Sequence, residues 1–227
     1  MGIYLNPGND QFRRMLRSKI YVDKSDLIAY TNDVIDSDMA YLCVSRPRRF
    51  GKSTAANMLC AYYTNGADSE SLFKHQKIAQ LSSFHEHLNK HHVLMLNIQQ
   101  FIRGAKTPDN FVNYIEQKVL NEVKEQYKDV IKETETSLPD ALTSVYFKTQ
   151  DDSPGFIFII DEWDCIFREM KNNETIQKAY LDFLRDLLKD RVYVKLAYMT
   201  GILPIKKYGT HSALNIFEEF SMTDSKG

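Results

Sequence analysis

Gly51-Lys52-Ser53 follows a short apolar run and opens a stretch with helical spacing. Residues of these types in that place offer an anion two things. Backbone N–H groups point outward at the helix start, and the favourable end of the helix dipole lies behind them. A lysine there reaches the β- and γ-phosphates of a nucleotide, and a serine hydroxyl ligates Mg²⁺. The same tripeptide also serves as a plain turn between a strand and a helix. The full phosphate-loop pattern wants glycine five positions before Gly51, where Arg46 stands. The stretch Arg46-Pro47-Arg48-Arg49-Phe50 is stiffer and more basic than a glycine-rich turn.

A second set lies downstream. Phe156 to Ile160 is apolar throughout and ends in Asp161-Glu162. At a strand end one carboxylate holds Mg²⁺, usually through water, while the next orients and deprotonates an attacking water. A lone acidic pair is otherwise a solvated strand end. Its combination with Gly51-Lys52-Ser53 in one sheet favours the chemical reading. Thr200-Gly201 closes a further apolar run. A polar side chain there sits between γ-phosphate and water; the alternative is a strand-to-loop turn that uses Gly201.

Four apolar runs must position these groups: Ala40 to Ser45, His92 to Ile98, Phe156 to Ile160 and Val192 to Thr200. They alternate with long amphipathic stretches, the pattern of a parallel sheet wrapped by helices, and near-continuous apolar runs suit strands buried on both faces. A helix is expected from Gly51 to about Tyr63. Phe111, Ile115, Val119, Val123, Tyr127 and Ile131 recur every four residues with Glu116, Glu122 and Lys124 between them, which predicts one long helix. Ser137-Leu-Pro-Asp140 resembles a capping box, with Leu142, Val145 and Tyr146 inward. Asp151-Asp-Ser-Pro-Gly155 is a breaker, and Ile176, Tyr180, Phe183, Leu184, Leu187 and Leu188 line one face of the next helix. A fifth strand is expected around Phe217 to Met222.

The chain has 227 residues, 43% of them hydrophobic, enough for one α/β domain with an appendage. Its net charge of −1 leaves no field that draws the whole molecule to nucleic acid or anionic lipid. The three cysteines, Cys43, Cys60 and Cys165, are far apart, which argues for a reducing compartment and against a disulfide frame. No secretory signal and no apolar run near the ~18 residues of a membrane span is visible. A cytoplasmic protein is expected. Asn6 stands where a myristoylation signal at Gly2 wants serine or threonine.

Tyr21-Val-Asp-Lys-Ser25, Ser45-Arg-Pro-Arg-Arg-Phe-Gly-Lys-Ser53, Ile159-Ile-Asp-Glu-Trp-Asp164 and Thr200-Gly-Ile-Leu-Pro204 resemble the motifs of the bacterial AAA-ATPase-like family. The likeness runs from about Lys19 to Met222, and Arg46 matches that family's own loop variant. Ser25 replaces threonine and Trp163 replaces tyrosine. The resemblance implies a P-loop NTPase fold of the additional-strand type, an α/β structure with a mostly parallel central sheet flanked by helices. It implies Mg-ATP as ligand, with Arg46 to Thr54 around the nucleotide and Lys52 on its phosphates. Ser53 and Asp161 would sit at Mg²⁺, Glu162 would act as base and Thr200 as sensor. Residues 1–38 are expected as a helical and extended segment on the core, and 39–227 as the core without its C-terminal lid. Members often continue into that lid and a nuclease-like domain, so slow hydrolysis is expected of this stretch. A homo-oligomer, nucleic-acid contact, and a switch or nuclease accessory with little turnover stay open.

Other clusters invite other chemistry. His85, His87, His91 and His92 lie together, and His87 with His91 could share a metal, but a solvated helix end is the expectation. Pro108-Asp109 with Glu122-Val-Lys124 mimics a nuclease signature, yet Glu122 and Lys124 fall on a helix where that chemistry needs a strand. Arg46, Arg48, Arg49 and Lys52 suit phosphate attraction better than a nucleic-acid surface. Cys43 and Cys60 read as small buried hydrophobes, and Cys165 is open to reactivity. Arg48, Arg49 and Arg168 are candidate catalytic arginines, more simply read as solvated or loop-stabilising.

Overall fold

Each apolar run becomes a strand, and the strands pair only in parallel. The computed structural model describes residues 1–105, 107–132, 134–205 and 214–221. Strands β1 (Tyr41–Ser45), β2 (His92–Asn97), β3 (Phe156–Asp161), β4 (Val194–Gly201) and β5 (Glu218–Phe220) form one sheet in the order β2-β3-β4-β1-β5. Strand β4 therefore lies between β1, which feeds the Gly51 loop, and β3, which carries the acids. This is the additional-strand arrangement.

Parallel strands need crossovers, and helices supply them. The described helices are α1 (Asp10–Leu16), α2 (Asp26–Val34), α3 (Lys52–Tyr63), α4 (Glu70–Phe73), α5 (Ile98–Gly104), α6 (Phe111–Gln126), α7 (Leu138–Lys148), α8 (Cys165–Glu169) and α9 (Glu174–Leu188). Side chains alternate along each strand, so the sheet feeds two cores. Ile157, Ile159, Leu196, Tyr198 and Leu42 pack with α1, α2 and α3. Phe156, Phe158, Ile160, Ala197, Met199 and Cys43 pack with α5 to α9. Every residue of β3 is buried, and each of its large apolar side chains contributes roughly 1.5–3 kcal/mol.

The amino-terminal stretch covers the β2 edge. Leu5 bridges Leu94 in antiparallel fashion, and Oε1 of Glu122 on α6 accepts from the Tyr4 and Leu5 amides at 2.8 and 2.7 Å. Glu122 and Lys124 thus lie on a helix, and Glu122 fastens a strap.

Several local expectations are corrected. The long helix stops at Gln126. A strict four-residue repeat advances about 40° beyond a full turn each time, so Ile131 would stand about 200° from Phe111 on one straight helix. The chain instead leaves the helix, and Ile131 returns to the core. Ser137 is the N-cap of α7 but makes no side-chain cap bond; Pro139 removes one of the amides it would accept from. Ala40 precedes β1, Ile98 opens α5, and Val192 lies exposed before β4, whereas Asp161 belongs to β3. The histidines do not form a solvated helix end. His91 and His92 are buried, and His87 Nδ1 lies 3.1 Å from His91 Nε2. Among the described residues no three His, Cys, Asp or Glu side chains gather as a metal cluster, and no helix is long and apolar enough to cross a membrane. Lys206, Lys207 and Met222 lie outside the described residues.

Candidate functional site

The strand register assembles the site before any side chain is considered. Asn97 is the partner of Asp161, Asp161 of Thr200, and Thr200 of Val44, so one row crosses β2, β3, β4 and β1 at their carboxyl ends. Ligands of open α/β sheets bind outside that end. The loop between β1 and α3 rises from the same edge, and Arg46 N donates to Gly201 O at 3.1 Å.

Within the loop, left-handed backbone occurs at Arg49 (φ 70°) and Gly51 (φ 75°), not at Arg46. An arginine therefore fits where the usual pattern has glycine, because that position needs no special φ. Gly51 is the N-cap of α3, which begins at Lys52. Lys52 Nζ donates to the carbonyls of Arg46 and Pro47 at 2.8 and 2.9 Å, so the side chain folds into its own loop. A cleft of about 400 Å³ opens beside it, lined by Arg48, Arg49, Gly51, Lys52, Ser53, Thr54, Gln99 and Glu162. Arg46 turns its side chain away, towards an apolar groove with Leu42, Val44, Tyr198 and Phe220. Phe50 is half exposed and does not line that cleft.

Ser53 Oγ donates to Asp161 Oδ2 at 2.7 Å. The Thr200 hydroxyl donates to the other oxygen, Oδ1, and Asn97 Nδ2 stands 3.4 Å from Oδ2. Asp161 is only 2% exposed, so three neutral donors replace the water that a buried carboxylate would otherwise need. A second cleft of about 540 Å³ shares Ser53 with the first and is lined further by Asn57, Asn97, Gln100 and Asp161. Glu162 adopts a left-handed conformation, φ 57°, which costs a non-glycine residue about 1–2 kcal/mol. The turn it makes returns Trp163 N to Thr200 O at 3.0 Å. A Cβ on Gly201 would stand 2.5 Å from Trp163 Nε1 and 2.9 Å from Asp164 Oδ1, so the indole needs glycine there.

The family described as AAA-ATPase_like, Predicted AAA-ATPase, matches residues 7–210. This chain belongs to that family. No curated protein matches it. One solved structure, that of C. elegans PCH-2, is 13% identical with a TM-score of 0.40. The match covers 96% of this chain and 47% of that one, so the chain spans about half its length.

In this AAA-ATPase-like chain some neighbours of the site carry no local sequence pattern. Arg168 is not solvated: it donates to Glu162 and, through Nε, to Asp164 Oδ2 at 3.1 Å. Burial opposes its charge, yet the carboxylates of Asp164 and Glu162 hold the guanidinium pKa above its ordinary value. Asp164 Oδ2 also accepts from the Ile202 and Leu203 amides at 3.1 and 2.9 Å. The i,i+4 spacing of Asp164 and Arg168 was the one signal available. Asn97 carried none, since only strand register brings it to Asp161. Cys165 is buried, and burial pushes its thiol up to about 11, away from the thiolate that reacts; Cys60 goes to about 12 for the same reason.

Proposed function

We propose that this chain binds Mg-ATP in the cleft between the Arg46–Gly51 loop and the end of β3, and hydrolyses it. The observation that carries the reading is the Ser53 to Asp161 contact at 2.7 Å, across 108 residues of sequence. A hydroxyl and a carboxylate there are hard oxygen donors, which suit Mg²⁺ completed by nucleotide oxygens and water. When bound, the cation would neutralise charge on the β- and γ-oxygens. Lys52 would leave its loop carbonyls for those phosphates. Arg48, Arg49, Gly51 and Thr54 line the same cleft, and Pro47 supplies a carbonyl behind it. Glu162 would take a proton from water as its oxygen bonds to the γ-phosphorus and the bond to the β–γ bridging oxygen breaks, giving ADP and phosphate. Thr200 would fix Asp161 from behind.

One observation favours a second reading, a nucleotide-dependent switch with little turnover. Arg168 occupies the Glu162 carboxylate, which must be free to accept a proton. In both readings the nucleotide state serves a partner, or a lid and nuclease-like domain of a longer chain, and the family likeness is what supports this.

The binding claim is tested with Lys52→Ala. Calorimetric titration with Mg-ATP should show a loss of about tenfold or more, the worth of a charge-assisted contact, in a variant that still unfolds in one cooperative thermal transition. Equal affinity in the two proteins would remove the assignment.

A further inference from the structure

The Tyr21–Ser25 segment has no part in the reading above, yet the structure holds it firmly. Asp23 Oδ1 accepts from Ser25 N at 2.8 Å, and Asp23 Oδ2 accepts from Lys77 N at 2.8 Å. Ser25 is fully buried, and its Oγ accepts from Ile78 N at 3.1 Å. Both neighbours of Lys24 are therefore tied to the 3₁₀ turn Lys77–Gln80, which fixes where the lysine between them can reach.

Lys24 reaches the phosphate loop. Its Nζ donates to the Phe50 carbonyl at 2.7 Å and lies 2.6 Å from the point where a Cβ on Gly51 would stand. Among the described residues the cations in salt bridges are Lys77, Arg168, Arg185 and Lys195; no carboxylate pairs with Lys24. One carbonyl takes one of the three N–H donors of an ammonium and neutralises none of its charge. Lys52 is in the same posture, resting on the Arg46 and Pro47 carbonyls. Two ammonium groups thus rest on the carbonyls of one loop, one near each end, and the arginines between them add charge of the same sign.

We infer that Lys24 is a second phosphate-binding cation of the nucleotide site, one that presents its spare donors to a polyphosphate when it enters beside Gly51. The inference rests on the nucleotide reading of the loop. It gives the motif a division of labour, in which Asp23 and Ser25 anchor and Lys24 binds. The competing role is purely structural, with Lys24 only pinning the Phe50–Gly51 peptide.

Lys24→Gln separates the two, since an amide, though one bond shorter, stays a polar donor but carries no charge. Mg-ATP and AMP affinities are measured by titration for the wild type, Lys24→Gln and Lys24→Arg, with thermal unfolding alongside. The expected result is a loss of about ten- to a hundredfold for Mg-ATP in Lys24→Gln, the worth of one charged hydrogen bond. AMP affinity and the unfolding midpoint should stay unchanged, and Lys24→Arg should recover part of the loss. Unchanged Mg-ATP affinity in Lys24→Gln, or an equal loss for both nucleotides with a lower unfolding midpoint, would overturn the inference while leaving the nucleotide reading intact. A wild type that binds no Mg-ATP overturns both.

Discussion

Thr200 donates its hydroxyl to Oδ1 of Asp161, its register partner on the adjoining strand, while Ser53 holds Oδ2. Both carboxylate oxygens are thus oriented by hydroxyls, one from the end of β4 and one from the first turn of α3. Thr200→Ala removes one of them from a buried carboxylate. Phosphate release should fall, with little loss of Mg-ATP affinity, because the loop and Lys52 are untouched. Thr200→Ser should keep turnover. A Thr200→Ala protein that loses binding and turnover in proportion would contradict this role.

Asp164 joins the turn after β4 to Arg168, and through it to Glu162. Asp164→Ala leaves the Ile202 and Leu203 amides and one guanidinium N–H without their acceptor. Each unsatisfied buried donor costs about 1–3 kcal/mol. Urea unfolding should show a loss of at least that size, and Asp164→Asn, which keeps an acceptor, a smaller one. Two variants of wild-type stability would show the anchor to be dispensable.

Acid should weaken the fold through the histidines at the start of β2. Burial, and for His91 the neighbouring positive charges as well, lowers His91 to about 3 and His92 to about 4. In the unfolded chain both take a proton below about pH 6.5. From there down to the folded values the unfolded state binds more protons, so stability falls as pH falls, by about 1.4 kcal/mol per pH unit for each imidazole. Above about pH 6.5 this contribution is fully present. Urea midpoints at pH 7.5 and 5.0 should differ in that direction, and equal midpoints would contradict it.

The residues that the structure gathers at the carboxyl edge of the sheet were legible because each group is local: Gly51-Lys52-Ser53 after β1, Asp161-Glu162 after an apolar run, Thr200-Gly201 after another. The parallel sheet was legible for the same reason, since buried strands read as unbroken apolar runs. What sequence did not show was lateral. Asn97 reaches Asp161 only because β2 pairs with β3 in one register. Lys24 reaches the Phe50 carbonyl only because Asp23 and Ser25 are tied to residues 77 and 78. The α6 terminus is hidden in the sequence because a four-residue spacing reads as one stripe over two turns and drifts off it over five.

Hydrolysis with Glu162 as base stands or falls on one paired assay. Multiple-turnover phosphate release and Mg-ATP binding are measured on the wild type and Glu162→Gln under the same conditions. Glutamine keeps the size of the side chain and cannot accept the proton. Expected are Mg²⁺-dependent release by the wild type, retained Mg-ATP binding by Glu162→Gln, and turnover in Glu162→Gln lower by roughly 10²- to 10⁴-fold. Equal rates in the two proteins, or no release above background by a wild type that binds Mg-ATP, would contradict it.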